Sequence, residues 1–314
     1  MIVTKPRTLL ATATLLAGVS LCATAHARPM TAEDVAKLES VGSIAVSPDG
    51  SRVAYTTASL PDILDGEDDG STKQQLMMAY GPENARVFLP EDVSVSTVQF
   101  SPDGRMVSFL WTKKGEDRAV WGIPVDGGAQ VKLAGVKDTA VRRYAWAPDG
   151  STLYLLTDAA TDKDRKAEAK KGFDSVVYEE EENFNRLFSA KAGGEDIDAK
   201  PAAIAVPGQV TSLAVTPDNR YAVLEIQPTP RIDDTYTSSR VNILDLASGK
   251  LLRAVETPGK LGDVEISPDG TKLSLVAGVD AHDPAATTLH LVDLATGKFT
   301  ALNGGAPEAT GDTE

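Results

Sequence analysis

The residues with the most chemical content form one run, Gly172-Phe173-Asp174-Ser175-Val176-Val177-Tyr178-Glu179-Glu180-Glu181-Glu182-Asn183-Phe184. Adjacent carboxylates repel one another unless water or a cation compensates them. One reading is a solvated, charged insertion. The other is a site in which Glu179, Glu180 or Glu181 holds a positively charged group, such as the free amino terminus of a peptide, through charge-assisted hydrogen bonds. Tyr178 and Phe184 would frame that pocket. The residues alone leave both readings open.

Elsewhere the chemistry is sparse. No Gly-x-Ser-x-Gly elbow, P-loop, dinucleotide fingerprint or cysteine cluster occurs. His290 alternates with Leu289 and Leu291 and reads as a structural histidine of a strand. His282 belongs to the loop Asp280-Ala281-His282-Asp283-Pro284, where Asp280, His282 and Asp283 could touch a cation. A metal needs a further ligand from elsewhere in the chain, and none suggests itself. Trp111, Trp121 and Trp146 lie in or beside apolar runs, which favours core packing for each. No catalytic residue, metal or cofactor is expected.

The elements that must position the acidic run follow from a repeat. Pro-Asp turns recur at Ser47-Pro48-Asp49-Gly50, Ser101-Pro102-Asp103-Gly104, Ala147-Pro148-Asp149-Gly150, Thr216-Pro217-Asp218-Asn219 and Ser267-Pro268-Asp269-Gly270. Their prolines lie 54, 46, 69 and 51 residues apart, a period that points to a propeller or another repeat architecture. Pro presets φ for a type I turn, and Gly or Asn accepts the positive φ that follows. Short apolar runs flank each turn, so each unit contains a hairpin. Two further strands per unit are clearest around Asp245-Leu246-Ala247-Ser248-Gly249-Lys250 and Asp293-Leu294-Ala295-Thr296-Gly297-Lys298. Four antiparallel strands per unit define a propeller blade. The expected fold is therefore an all-β propeller of about five blades, over 41–95, 96–140, 141–209, 210–261 and 262–303. The third blade carries the insertion 161–184, whose TDKDRKAEAKK stretch has helical composition.

The ends differ from this body. Residues 1–27 hold Lys5 and Arg7, an apolar stretch from Leu9 to Ala23 and then Ala25-His26-Ala27, the pattern of a cleaved secretory signal peptide. The alternative is a retained amino-terminal anchor. Cys22, the single cysteine, lies inside that segment, so the mature chain would have no disulfide. Periplasmic or secreted localisation is expected. Residues 28–40 open with Thr31-Ala32-Glu33-Asp34, a capping box for a short helix whose Val35 and Leu38 would face a partner. Residues 304–314 are Gly, Pro and acidic, a tail. The net charge of −14 argues against nucleic acid and anionic membrane as partners.

The opening MTAEDVAKLESVGSIAVSPDGSRVAYTTA, the repeated Pro-Asp hairpins, GFDSVVYEEEENFNRLFSA and the DLASGK and DLATGK turns resemble bacterial serine peptidases of the prolyl oligopeptidase family. Acylaminoacyl-peptidase-like and dipeptidyl-peptidase-like members are the nearest in pattern, and the resemblance spans residues 30–303. It implies a propeller that covers a catalytic chamber, filters peptides by size and offers polar groups to their ends. It also implies that Tyr178, Glu179, Glu180 and Glu181 match the segment that holds a substrate's amino terminus in dipeptidyl peptidases. Such enzymes pair seven or eight blades with an α/β-hydrolase domain bearing a Ser-Asp-His triad. This chain is expected to be a truncated member that meets peptide only through a missing hydrolase domain. Pro-Asp repeats also resemble TolB-like propellers, which leaves a non-enzymatic periplasmic propeller with a protein partner as the alternative. Blades drawn from a larger ring would leave open edges that invite self-association.

Overall fold

The computed structural model describes residues 28–90, 93–160, 162–175, 182–193, 201–281 and 286–302. Its strands form five antiparallel sheets of four strands each, arranged in chain order. The first holds β1 (Ser40–Val46), β2 (Val53–Ser59), β3 (Lys73–Ala79) and β4 (Ala85–Val87); the second holds β5 (Val95–Phe100), β6 (Met106–Trp111), β7 (Ala119–Pro124) and β8 (Val131–Ala134). The third contains β9 (Val141–Trp146), β10 (Thr152–Thr157), β11 (Arg186–Lys191) and β12 (Ala202–Ile204). The fourth contains β13 (Gln209–Val215), β14 (Tyr221–Gln227), β15 (Arg240–Asp245) and β16 (Lys250–Val255). The fifth contains β17 (Leu261–Ile266), β18 (Lys272–Gly278), β19 (Thr287–Asp293) and β20 (Phe299–Ala301). Sequential up-and-down strands in repeated sheets are propeller blades, as the turn spacing predicts.

Each Pro-Asp turn joins the first two strands of a sheet, and all but the third, which begins with Ala147, share one side-chain hydrogen-bond pattern. In the first, Gly50 N donates to Ser47 O at 2.8 Å, Ser47 Oγ donates to Asp49 Oδ1 at 2.6 Å, and Arg52 N donates to Ser47 Oγ at 2.9 Å. The fourth turn repeats it with Thr216 and Asp218, and there Asn219 takes the positive φ of 56°. These bonds hold the carboxylates of Asp49 and Asp269 at a pKa of about 2.

Sheets stack because alternate residues of each strand face opposite neighbours. On β6, Val107 and Phe109 join Leu76, Met78 and Ala54 of the first sheet, while Leu110 packs with Leu153 and Leu155 of the third. On β14, Leu224 packs with Leu156 and Leu187 behind it, and Val223 packs with Leu273 and Leu275 ahead. Both faces of a middle blade are thus buried, which is why its central strands, such as β7 and β10, read as nearly continuous apolar runs. Burying each such side chain is worth roughly 2 kcal/mol. Among the described residues, no apolar cluster joins the fifth sheet to the first. Among the described residues the five blades therefore run as an open arc.

The expected amino-terminal helix is α1 (Ala32–Ala36), closed by the Thr31–Asp34 capping box. Val35 and Leu38, expected to face a partner, are 52% and 55% exposed. The helical stretch of the insertion is α2 (Lys163–Ala169). A further helix, α3 (Ile232–Thr237), lies between β14 and β15. Its IDDTYT carries no apolar period, and Arg231 at its start makes no side-chain cap, so no sequence signal announced it. Trp111 and Trp121 meet edge to face at 4.9 Å and Trp146 donates to Ser108, so all three serve packing.

Candidate functional site

In an up-and-down blade, the connections after the first and third strands leave one end and those after the second and fourth leave the other. The segments β10 to β11, β12 to β13 and β14 to β15 therefore converge at the end opposite the Pro-Asp turns. A cleft of about 760 Å³ opens there between the third and fourth blades.

Local sequence builds its walls. Asp162 caps α2, its Oδ1 accepting from Asp164 N at 2.9 Å and Arg165 N at 3.1 Å. Gly172 ends the helix with φ +94°, and Arg165 then donates to Phe173 O at 3.2 Å and to Ser175 O, folding the chain back along the helix. On the far side, Asn185 Nδ2 donates to Val210 O at 3.2 Å, tying the return of the insertion to β13. Two ion pairs border the opening: Arg142 with Asp158, and Arg231 Nε with Glu182 Oε1 at 3.0 Å. Lys166, Asn183 and Gln209 complete a lining of both charge signs with side-chain amides.

This arrangement can hold a polar, zwitterionic or peptide-like group. Its described lining residues include no Ser, Cys or His, and its charged groups are the carboxylates of Asp158, Asp162 and Glu182 with Arg142, Arg165 and Lys166. Tyr178, Glu179, Glu180 and Glu181 lie outside the described residues, and Glu182, the next in sequence, stands on the cleft wall. Phe184 is described and half-buried. Residues Arg142 and Arg231 escaped sequence reasoning because each meets its partner through the fold, and Arg165 because its partners are backbone carbonyls of the turn after α2. Only the Asp162 cap carried a local signal.

One more titratable group is perturbed. Glu225, on β14 near the inner strands, is pushed up by burial, opposed by the positive charge of Arg143 on β9 and by a Thr211 hydrogen bond, and raised slightly by Asp263 on β17. His290 is buried on β19, edge-on to Phe299 at 5.2 Å, and fits the structural reading. His282 and Asp283 lie outside the described residues, within which no cluster of metal-ligating side chains occurs. Among the described residues no helix is long and apolar enough to cross a membrane.

Comparison with known proteins supplies the fold class. No family model matches the chain. TolB of Agrobacterium tumefaciens superimposes with a TM-score of 0.54 at 14% identity, over 84% of this chain and 80% of that one. An acylaminoacyl peptidase of Pyrococcus horikoshii gives 0.59 at 13% identity, over 85% of this chain and 40% of that one. A puromycin-hydrolyzing peptidase of Mycobacterium tuberculosis gives 0.56 at 14% identity, over 87% and 39%. In sequence, an uncharacterized peptidase of Bacillus subtilis, YuxL, is 24% identical over 126 residues, which are 40% of this chain and 18% of that protein. The chain thus has the propeller fold that TolB proteins share with peptidases of the prolyl oligopeptidase type. It spans about two fifths of the length of those peptidases.

Proposed function

We propose that this chain is the substrate-gating propeller portion of an exported serine peptidase of the prolyl oligopeptidase type, acting on peptides. Residues 1–27 serve as its signal peptide, and the protein works in the periplasm or outside the cell. The propeller carries no triad of its own; it admits peptides and holds their ends. Tyr178, Glu179, Glu180 and Glu181 bind the substrate's amino terminus. The observation that carries this reading is the position of Glu182: the acidic run leads directly onto the wall of a peptide-sized polar cleft.

The test is fluorescence anisotropy of the mature chain with labelled peptides, each offered with a free and an acetylated amino terminus. Free peptides should bind about tenfold tighter, or ~1.4 kcal/mol, and Glu180→Gln or Glu181→Gln should remove the difference. Equal affinity for the two forms would sink the ammonium role. An in-frame or adjacent hydrolase bearing Gly-x-Ser-x-Gly is the genomic counterpart of the same expectation.

A second reading is a non-enzymatic propeller that binds a protein partner. It draws on the match to 80% of the Agrobacterium TolB chain, against 40% for the Pyrococcus peptidase. A partner retained in stoichiometric amount, with no discrimination between free and blocked peptides, would favour it. In either reading the open edges of the arc offer self-association.

A further inference from the structure

Three of the four seams between blades share one construction, in which the glycine of a later Pro-Asp turn rests on the proline of the earlier one; the seam between the third and fourth blades carries Asn219 in place of the glycine. A methyl built on Gly104 would lie 3.5 Å from Pro48 Cδ, one on Gly150 3.8 Å from Pro102 Cδ, and one on Gly270 3.3 Å from Pro217 Cδ. Gly50 is the counterpart in the first sheet, and among the described residues a methyl there would meet nothing within 4 Å, a proline included.

Among the described residues the sheet face beside Gly50 is bare. Register places Ile44 opposite Tyr55, Tyr55 opposite Met77 and Met77 opposite Val87, so the four share one face, with Val46 and Val53 alongside. Val41, Ile44, Val46 and Val87 are 59%, 62%, 59% and 52% exposed. A contiguous apolar face of this kind marks an interaction surface. Its opposite number is at the other end of the arc. There Ser274 stands opposite Leu291 and Val276 opposite Leu289, on the face turned away from the fourth sheet; Val276 is buried, Leu289 and Leu291 are half-buried, and Leu302 follows at 54% exposed. Pro268 heads the turn of that last blade.

We propose that these two faces meet between copies of the chain: the fifth blade of one copy seats on the first blade of another, head to tail, with Pro268 against Gly50. The occupant must be a blade that presents a Pro-Asp turn in the sense of a predecessor, because the contact at Gly50 would repeat the one made at Gly104, Gly150 and Gly270. Among the described residues the fifth blade is the one whose turn proline, Pro268, is exposed and whose outer face ends in the exposed Leu302. The contact is heterologous, so assemblies grow or close into rings according to the rotation between copies. This deepens the self-association of open edges and does not depend on peptide binding; each stands if the other fails.

Sedimentation velocity of the mature chain across a wide concentration range tests it. The wild type should form dimers or larger species. Ile44→Glu, which blocks the first face, and Leu302→Glu, which blocks the last, should each lose higher species as single proteins. An equimolar mixture of the two should regain a dimer, since each keeps one intact face. A wild type that is monomeric throughout overturns the proposal. So does a mixture that stays monomeric, or Leu302→Glu assembling as the wild type does, which would indicate a face-to-itself contact. Val87→Glu on the outer strand of the first face replaces Ile44→Glu if the latter folds poorly, and far-ultraviolet circular dichroism checks the fold of each variant.

Discussion

Arg231 Nε donates to Glu182 Oε1 at 3.0 Å and so joins the end of the acidic run to the loop before α3 in the next blade, 49 residues away. A partly exposed pair of this kind is worth roughly 0–1 kcal/mol. Its consequence is positional: it fixes where the insertion re-enters the third blade and keeps one wall of the cleft in place.

Arg231→Ala should therefore leave the melting temperature within a few degrees of wild type, since ~1 kcal/mol moves a domain of this size by about 2–4 °C. It should at the same time speed cleavage within residues 161–185 during limited proteolysis with a Glu-specific protease. A large fall in melting temperature with unchanged cleavage would mean that the pair supports the blade and not the insertion.

Ser108 makes a stronger case, because it is wholly buried between the second and third sheets. It accepts from Tyr144 Oη at 2.9 Å and Trp146 Nε1 at 2.8 Å, and donates to Gln99 O at 3.1 Å. The single Tyr144 hydroxyl proton has Thr97 O, also at 2.9 Å, as its alternative acceptor, and burial pushes the phenol above the usual range. Ser108→Ala leaves the indole N–H of Trp146 without its acceptor, at a cost of about 1–3 kcal/mol. Tyr144→Phe removes only a donor and should cost about 1 kcal/mol. Urea denaturation of both variants orders them, and a Tyr144→Phe cost above that of Ser108→Ala would refute the ranking.

The fold was legible where local chemistry repeats. Five Pro-Asp turns, each with a positive-φ Gly or Asn, marked the blades, and the apolar runs beside them marked strands such as β7 and β15. Thr31 and Asp34 announced α1. The open arc was only half legible: the blade count fell short of the seven or eight in the resembled enzymes, but nothing in the order of Val41, Ile44 and Val46 says that their face lacks a partner. The same alternation in β5 or β13 is covered. The cleft was less legible still. The acidic run is visible as a string, whereas Arg142 with Asp158 and Arg231 with Glu182 are brought together by strand order and blade stacking. Pairs separated so far in sequence leave no periodic trace.

Glycine positions separate two kinds of strain. Gly208 has φ +81°, and a methyl there would fall 2.3 Å from the carbonyl oxygen of Gln227, a backbone atom with little room to move. Gly50 has φ +71°, and a methyl there would meet no described atom within 4 Å. Gly50→Ala should cost only the left-handed backbone penalty, roughly 1 kcal/mol. Gly208→Ala adds a backbone clash and should cost at least ~2 kcal/mol more, while also disturbing Gln209 at the cleft. Thermal unfolding of both proteins, at a concentration where the chain is monomeric, decides the matter; equal losses would show that the loop between β12 and β13 adapts freely.

Stability should depend on pH in two windows of the same sign. His290 is 7% exposed, its ring nitrogens have no hydrogen-bond partner among the described residues, and burial pushes its imidazole below the usual 6.5. The unfolded chain then binds a proton more readily than the folded one, so stability is complete above about pH 6.5 and declines as pH falls toward the depressed folded value. His290→Leu should flatten that slope, and a slope that survives the substitution would assign it to another group. The turn carboxylates act lower. Asp49 and Asp269 titrate at about 2 in the folded chain against an ordinary 3.8, because Ser47, Ser51, Ser267 and Thr271 donate to their ionised forms. Their contribution is present above about pH 4 and is lost as pH falls through 2. Asp49→Asn and Asp269→Asn should therefore narrow the stability difference between pH 4 and pH 2, read as the urea midpoint at each pH. An undiminished difference would place the acid sensitivity outside the Pro-Asp turns.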